Sequence, residues 1–269
     1  MNKLSKLVNK LTKKPINSVA LVLSGGGSRG AIQVGVLQAL DEYNIKVEAI
    51  SGTSIGSIVG VFYSGGLPPL KIKEIMESQG IIKLFHIAWN KKGLLKMGEL
   101  LKLLKKYLPD KTFESLNIPF YACAANLDTQ NYDLFSTGDL HQAVVASASI
   151  PVLFQPVVIN GYHYIDGGLY NNFPIEPLLK KYDYLLGVHV NNMKPIGDYS
   201  AADIAERVFT AAVKQSVENK FSKCDYLISP YLEDRYGIID FRKTDELFKI
   251  GYDEGVRFAK KIGKANSIQ

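Results

Sequence analysis

Cysteine is almost missing from this chain of 269 residues, which has only Cys123 and Cys224. Two thiols so far apart build no disulfide framework and leave no CxxC spacing for a structural metal, so both are expected as buried core residues. Long apolar runs are lacking too. Charge or glycine interrupts each of them short of the ~18 residues that a membrane-spanning helix requires. Near the start there is neither the continuous apolar region nor the small-residue cleavage site of a secretory signal. These absences lead us to expect a cytoplasmic protein. Repeats, low-complexity tracts and linkers are missing as well. With 46% hydrophobic residues, the chain is long enough for one sizeable core. A single α/β domain is expected over residues 18–269, behind a distinct segment at 1–17.

Acidic residues are absent from "MNKLSKLVNKLTKK", the first fourteen residues, which hold five lysines. Leu4, Leu7, Val8 and Leu11 recur at the spacing of one helical face, so a helix here would carry a narrow apolar stripe flanked by lysines. That pattern suits peripheral contact with an anionic membrane. The plain alternative is a solvated terminus, since so short a helix is marginal alone in water. The net charge of +6 sets no function by itself, and no nucleic-acid partner is expected.

After Pro15 the chain alternates strand-like and helix-like segments. "SVALVLS" (18–24) is a short β-branched run that suits a buried parallel strand, and residues 31–43 have helical period. "IKVEAIS" (45–51) is a second strand, followed by a helix that ends in glycines before Pro68 and Pro69. Further strands are expected at 119–127, 132–137, 182–190 and in "DYLISP". A hairpin turns at Asn160-Gly161. Helices are expected within 70–107 and at 139–149, 201–221 and 244–263. The alternation predicts a three-layer α/β/α fold with a mostly parallel central sheet.

Gly25, Gly27 and Gly30 satisfy G-x-G-x-x-G between a strand and a helix, the context of a dinucleotide fingerprint. That use also needs an acid at the tip of the second strand. Glu48 instead falls inside the strand, which runs on into "SGTSIG". "GTSIG" (52–56) is a G-x-S-x-G sequence at a strand-to-helix junction, where Gly52 and Gly56 relieve crowding and a nucleophile stands on a sharp turn. Ser54 is therefore the candidate nucleophile, and a helix-capping serine is the simpler alternative. In a parallel sheet both loops emerge at the carboxyl ends of their strands. There the N–H groups of Gly25, Gly26 and Gly27 could serve as an oxyanion hole above Ser54. Arg29 opposes the dipole of the helix it opens. It is expected to have a buried anionic partner, to order the loop or to meet an anionic substrate group.

A serine nucleophile needs a base. His86, His141, His163 and His189 are the four histidines, and none has a setting that announces catalysis. His189 near the end of a core strand would suit a Ser-Asp-His order, and His163 could be an alternate acid-base group. Asp166 ends an extended run and meets Gly167 and Gly168 at a corner. An ordinary Asp-Gly turn is the plainer account of it.

Taken together, "GGGSRG" (25–30), "GTSIG" (52–56), "ASASIPVLFQP" (146–156) and "DGG" (166–168) resemble the patatin-like phospholipase family in order and spacing. The resemblance frames residues 19 to about 190. It implies a Ser-Asp dyad with Ser54 as nucleophile and Asp166 as base, and an oxyanion site at Gly25, Gly26 and Gly27 with Arg29 beside them. It also implies a three-layer α/β fold and hydrolysis of lipid acyl esters without metal or organic cofactor. Ser24 stands where many plant members carry aspartate, and Ser149 where alanine is frequent. Residues from about 195 onward match no motif. Residues 81–108, with Phe85 and Trp89 among lysines, suit a flap over an acyl chain or a membrane-facing edge, or else a core-packed helical pair. A serine acyltransferase, a silent lipid- or protein-binding module and a nucleotide-binding module are the other classes considered.

Overall fold

The structure is a computed structural model and describes residues 16–78, 98–151, 153–192, 217–232, 236–238 and 240–267. The lysine-rich start, most of the expected flap, His86 and most of the expected helix at 201–221 lie outside the described residues.

Eight strands form one mixed sheet: β1 (Ser18–Leu23), β2 (Lys46–Thr53), β3 (Phe120–Asn126), β4 (Asn131–Phe135), β5 (Val157–Ile159), β6 (Tyr162–Asp166), β7 (Leu185–Val188) and β8 (Tyr226–Ile228). The order is β5-β6-β3-β2-β1-β7-β8, with β4 also paired to β3. The run β3-β2-β1-β7-β8 is parallel, whereas β4, β5 and β6 pair antiparallel. The hairpin around Asn160-Gly161 is β5–β6, and the strand within 182–190 is confined to Leu185–Val188.

β1 shows why its sequence is apolar without alternation. Val19, Leu21 and Leu23 enter one core, while Ala20 and Val22 enter a second core on the opposite face. A strand covered on both sides has no position to give to a polar residue. The first core is closed by α1 (Gly30–Glu42), α2 (Ile55–Ser64), α3 (Pro69–Glu77), α4 (Gly98–Tyr107), α5 (Leu140–Ser147) and α6 (Thr244–Ser267). The second is closed by Phe173, Ile175, Leu178 and Val217. The architecture is three-layer α/β/α. α6 lies against α1 at backbone distance: a side chain at Gly35 would strike the Phe248 carbonyl, and one at Gly251 the Ile32 carbonyl. Among the described residues, no helix is long and apolar enough to cross a membrane.

One feature of the sheet governs the site. β4 occupies one edge of β3 from Ala122 to Asn126. β2 pairs with β3 as far as Thr53 opposite Cys123, and β6 pairs with it from Asp166 opposite Ala124. β2 and β6 therefore share the other edge of β3 and meet end to end. The residue after Thr53 is Ser54.

Candidate active site

Ser54 joins β2 to α2 with φ 55° and ψ −124°, a conformation that costs a non-glycine residue roughly 1–3 kcal/mol. Its surroundings impose it. The Ser54 N–H donates to Ser147 Oγ at 3.1 Å, and the Ser147 hydroxyl donates to the Cys123 carbonyl at 2.5 Å. The Ser54 carbonyl accepts from the Ser57 hydroxyl at 2.7 Å and from the Ser57 and Ile58 N–H groups at 2.9 and 3.2 Å. Thr53 Oγ1 donates to the Asn171 carbonyl at 2.8 Å. Spacing in the pentapeptide follows from contact: a Cβ on Gly52 would strike the Gly56 carbonyl, and one on Gly56 the Leu23 carbonyl.

The Ser54 side chain lies beside the Asp166 carboxylate and interacts with it. The Asp166 N–H donates to the Ser149 carbonyl at 2.8 Å, and its carboxylate accepts from the Gly168 N–H at 2.8 Å. Gly167 turns the chain against the Cys123 carbonyl, where no side chain fits. Asp166 is only 4% exposed. Burial pushes its pKa up to about 6, and the neighbouring Ser54 side chain and the hydrogen bond from the Gly168 N–H oppose that rise. A buried carboxyl titrating near 6 is a better proton acceptor than an ordinary aspartate near 3.9.

The glycine loop lies against this pair. A Cβ built on Gly25 would be 3.1 Å from Ser54 Cβ, and one on Gly30 would strike Ile55. The three expected oxyanion donors are not equivalent. The Gly25 N–H donates to Asn172 Oδ1 at 3.1 Å. The Gly26 and Gly27 N–H groups have no partner among the described residues. Gly27 has φ 58°, and a side chain there would strike the Ile238 carbonyl.

Arg29 is fully buried. Its Nε donates to the Tyr236 carbonyl at 2.8 Å and its Nη1 to Asn191 Oδ1 at 3.1 Å. Beside it, Ser28 donates to Ile238 and Gly237 carbonyls at 2.7 and 2.8 Å. Arg29 and Ser28 together tie the glycine loop to residues 236–238.

The described histidines are engaged elsewhere. His141 Nε2 bonds the Leu108 carbonyl at 2.9 Å, and exposed His163 pairs with Asp128. His189 hydrogen-bonds Ser229 at 3.1 Å and packs edge-on against Phe173. Burial, helped by the nearby charge of Arg29, lowers its pKa to about 4. Among the described residues, no three His, Cys, Asp or Glu side chains converge as metal ligands. Sequence reasoning missed Ser147, Asn172 and Asn191. Ser147 lies inside the quoted "ASASIP" segment and Asn172 just beyond "DGGLY", but nothing local marked Asn191.

A sheet with this mixed edge, a serine on a strained turn and a buried aspartate beside it define a serine-aspartate α/β architecture. The model of the family described as patatin-like phospholipase matches residues 21–179, more than half of the chain, and the protein belongs to that family. It is 28% identical to lysophospholipase nte1 of Aspergillus niger over 93% of this chain and 18% of that protein. Its identity with lysophospholipase NTE1 of Kluyveromyces lactis is 27%, over 93% of this chain and 20% of that protein. The chain thus spans about a fifth of the length of these curated relatives. Among solved structures, it superposes on the ExoU-SpcU complex of Pseudomonas aeruginosa with TM-score 0.57 and 14% identity, covering 93% of this chain and 52% of that one. For VipD of Legionella pneumophila the TM-score is 0.54 at 15% identity, covering 91% and 67%. These two likenesses concern the fold.

Proposed function

We infer that the protein is a serine lipid acyl hydrolase working through a Ser54-Asp166 dyad, in a single domain over residues 18–269. The observation that carries this is the placement of Ser54, on its strained turn, beside the buried Asp166 carboxylate where β2 and β6 meet along β3. Asp166 takes the hydroxyl proton as Ser54 Oγ attacks the ester carbonyl. The Gly26 and Gly27 amides receive the oxyanion. As the tetrahedral species collapses, the proton passes from Asp166 to the departing alcohol, leaving an acyl-serine. Water then attacks the acyl carbon, gives its proton to Asp166, and Ser54 is regenerated with release of the fatty acid. Preorganised backbone donors supply much of the stabilisation in such chemistry, about 3 kcal/mol for each.

The names of the curated relatives favour a lysophospholipid as substrate. Peripheral contact with an anionic membrane through the lysines of residues 1–14 belongs to the same proposal. The test is turnover of a panel of p-nitrophenyl esters, lysophosphatidylcholine and diacyl phospholipid by the wild type and Ser54→Ala. Loss of all turnover in a folded Ser54→Ala protein is expected, together with fluorophosphonate labelling at Ser54 alone. Labelling at another serine, or acyl transfer to an alcohol in place of water, overturns the assignment.

A further inference from the structure

Three consecutive glycines pose a problem for an oxyanion loop. The plane of the Gly25–Gly26 peptide is set by the rotations on either side of it, and neither residue has a side chain to restrict them. Without outside constraint that peptide would turn over readily. Its orientation decides the direction of the Gly26 N–H, because carbonyl and N–H point opposite ways across a planar trans peptide.

The constraint comes from β7. Val188 is paired with Leu23, and the Ser24 N–H donates to the Val188 carbonyl at 3.1 Å. Two residues on, the Val190 N–H donates to Ser24 Oγ at 3.1 Å, and the Ser24 hydroxyl donates to the Gly25 carbonyl at 3.0 Å. Asn191 Nδ2 then donates to the same carbonyl at 2.7 Å. A Cβ on Gly26 would collide with Val190 and Asn191, so these residues also wall that side of the loop. The Asn191 amide cannot serve in reverse. Its Oδ1 accepts from Arg29 Nη1 at 3.1 Å, and a guanidinium only donates while a carbonyl only accepts.

We propose that Asn191 is a positioning residue for the oxyanion loop: by gripping the Gly25 carbonyl it turns the Gly26 N–H away from itself and toward the space above Ser54. Arg29 acts one step further back, by holding the Asn191 amide. The inference rests on the Ser54-Asp166 hydrolase assignment. Asn191 lies beyond residues 21–179, the span matched by the family model.

Asn191→Asp tests it. The variant is nearly isosteric and keeps an acceptor for Arg29, but it sets an acceptor against the Gly25 carbonyl. On a p-nitrophenyl ester, kcat should fall by about 100-fold, the usual effect of losing one oxyanion donor, with KM within about twofold of wild type. Fluorophosphonate labelling of Ser54 should slow in parallel, since its tetrahedral adduct uses the same donors. Asn191→Ser, which retains a donor, should recover part of kcat, and Asn191→Ala is the second variant if Asn191→Asp does not fold. A kcat within threefold of wild type in any folded donor-less variant overturns the proposal. So does loss of folding in both donor-less variants, which makes the role structural. If Ser54→Ala still turns over substrate, the hydrolase assignment itself has failed; if only Asn191 proves dispensable, that assignment stands.

Discussion

The Ser54 side chain stands beside the Asp166 carboxylate at the point where two strands meet end to end along β3. Thr53 is paired with Cys123 and Asp166 with Ala124, the next residue. The spacing of one strand therefore sets the spacing of the pair, and no flexible loop intervenes on the serine side. Placing a site on rigid elements holds the reacting groups in register without a further entropic cost at each turnover.

Acid should switch the reaction off near pH 6. Asp166 must be ionised to accept a proton, and burial has raised its pKa to about 6. We expect kcat/KM to fall about tenfold per pH unit below that value and to level off above it. The limb should survive in His189→Ala with a substantial part of the activity kept, because His189 is engaged with Ser229. Loss of that limb, or of nearly all turnover, in His189→Ala would return the histidine to the mechanism.

Asp166→Asn should be inactive yet more stable than the wild type at neutral pH. A carboxyl whose folded pKa of about 6 exceeds its ordinary 3.8 binds its proton more tightly when folded. Its favourable contribution is thus complete below about pH 4 and is lost as pH rises to about 6. Two pH units correspond to at most roughly 3 kcal/mol at pH 7. Urea melts at pH 4 and pH 7 measure this directly: the variant's advantage should be present at pH 7 and close toward pH 4. An advantage of the same size at both pH values would assign it to packing.

Ser54→Gly should relieve a conformation that Ser54→Ala retains. At φ 55° a glycine is at no steric disadvantage. Ser54→Gly is expected to be more stable than Ser54→Ala by about 1 kcal/mol, with both inactive. Thermal melts of the two side by side decide it, and equal stability would mean the turn carries no strain.

Arg29→Lys should lower kcat to the same extent for a neutral p-nitrophenyl ester and for lysophosphatidylcholine. The guanidinium is spent on Tyr236 and Asn191 inside the protein, and a lysine cannot supply the same fork of donors. A rise in KM confined to the phosphate-bearing substrate is the result that would place a headgroup at Arg29.

Much of the architecture was legible locally. Apolar β1 and β7 and the periodic α1 announce a sheet covered on both faces, because burial on two sides removes the need for alternation. The glycines of "GTSIG" were legible for a steric reason: Gly52 and Gly56 stand where Cβ atoms would strike backbone. Less was legible in the glycine loop. That Gly25 is engaged by Asn172 and that Arg29 is turned inward depend on residues far along the chain. Asn191 carried no signal at all, since one asparagine after a strand looks like any other.

By itself the sequence determined the succession of strands and helices, the covered sheet and the sharp turn that carries Ser54. Periodicity and the size of a side chain act between neighbours, so those features can be read a few residues at a time. Tertiary structure alone decided what Ser54 faces and which glycine amides find a partner among the described residues. Both depend on hydrogen bonds between distant segments, and it is the register of β2 and β6 along β3, and of β7 along β1, that brings those donors and acceptors within range.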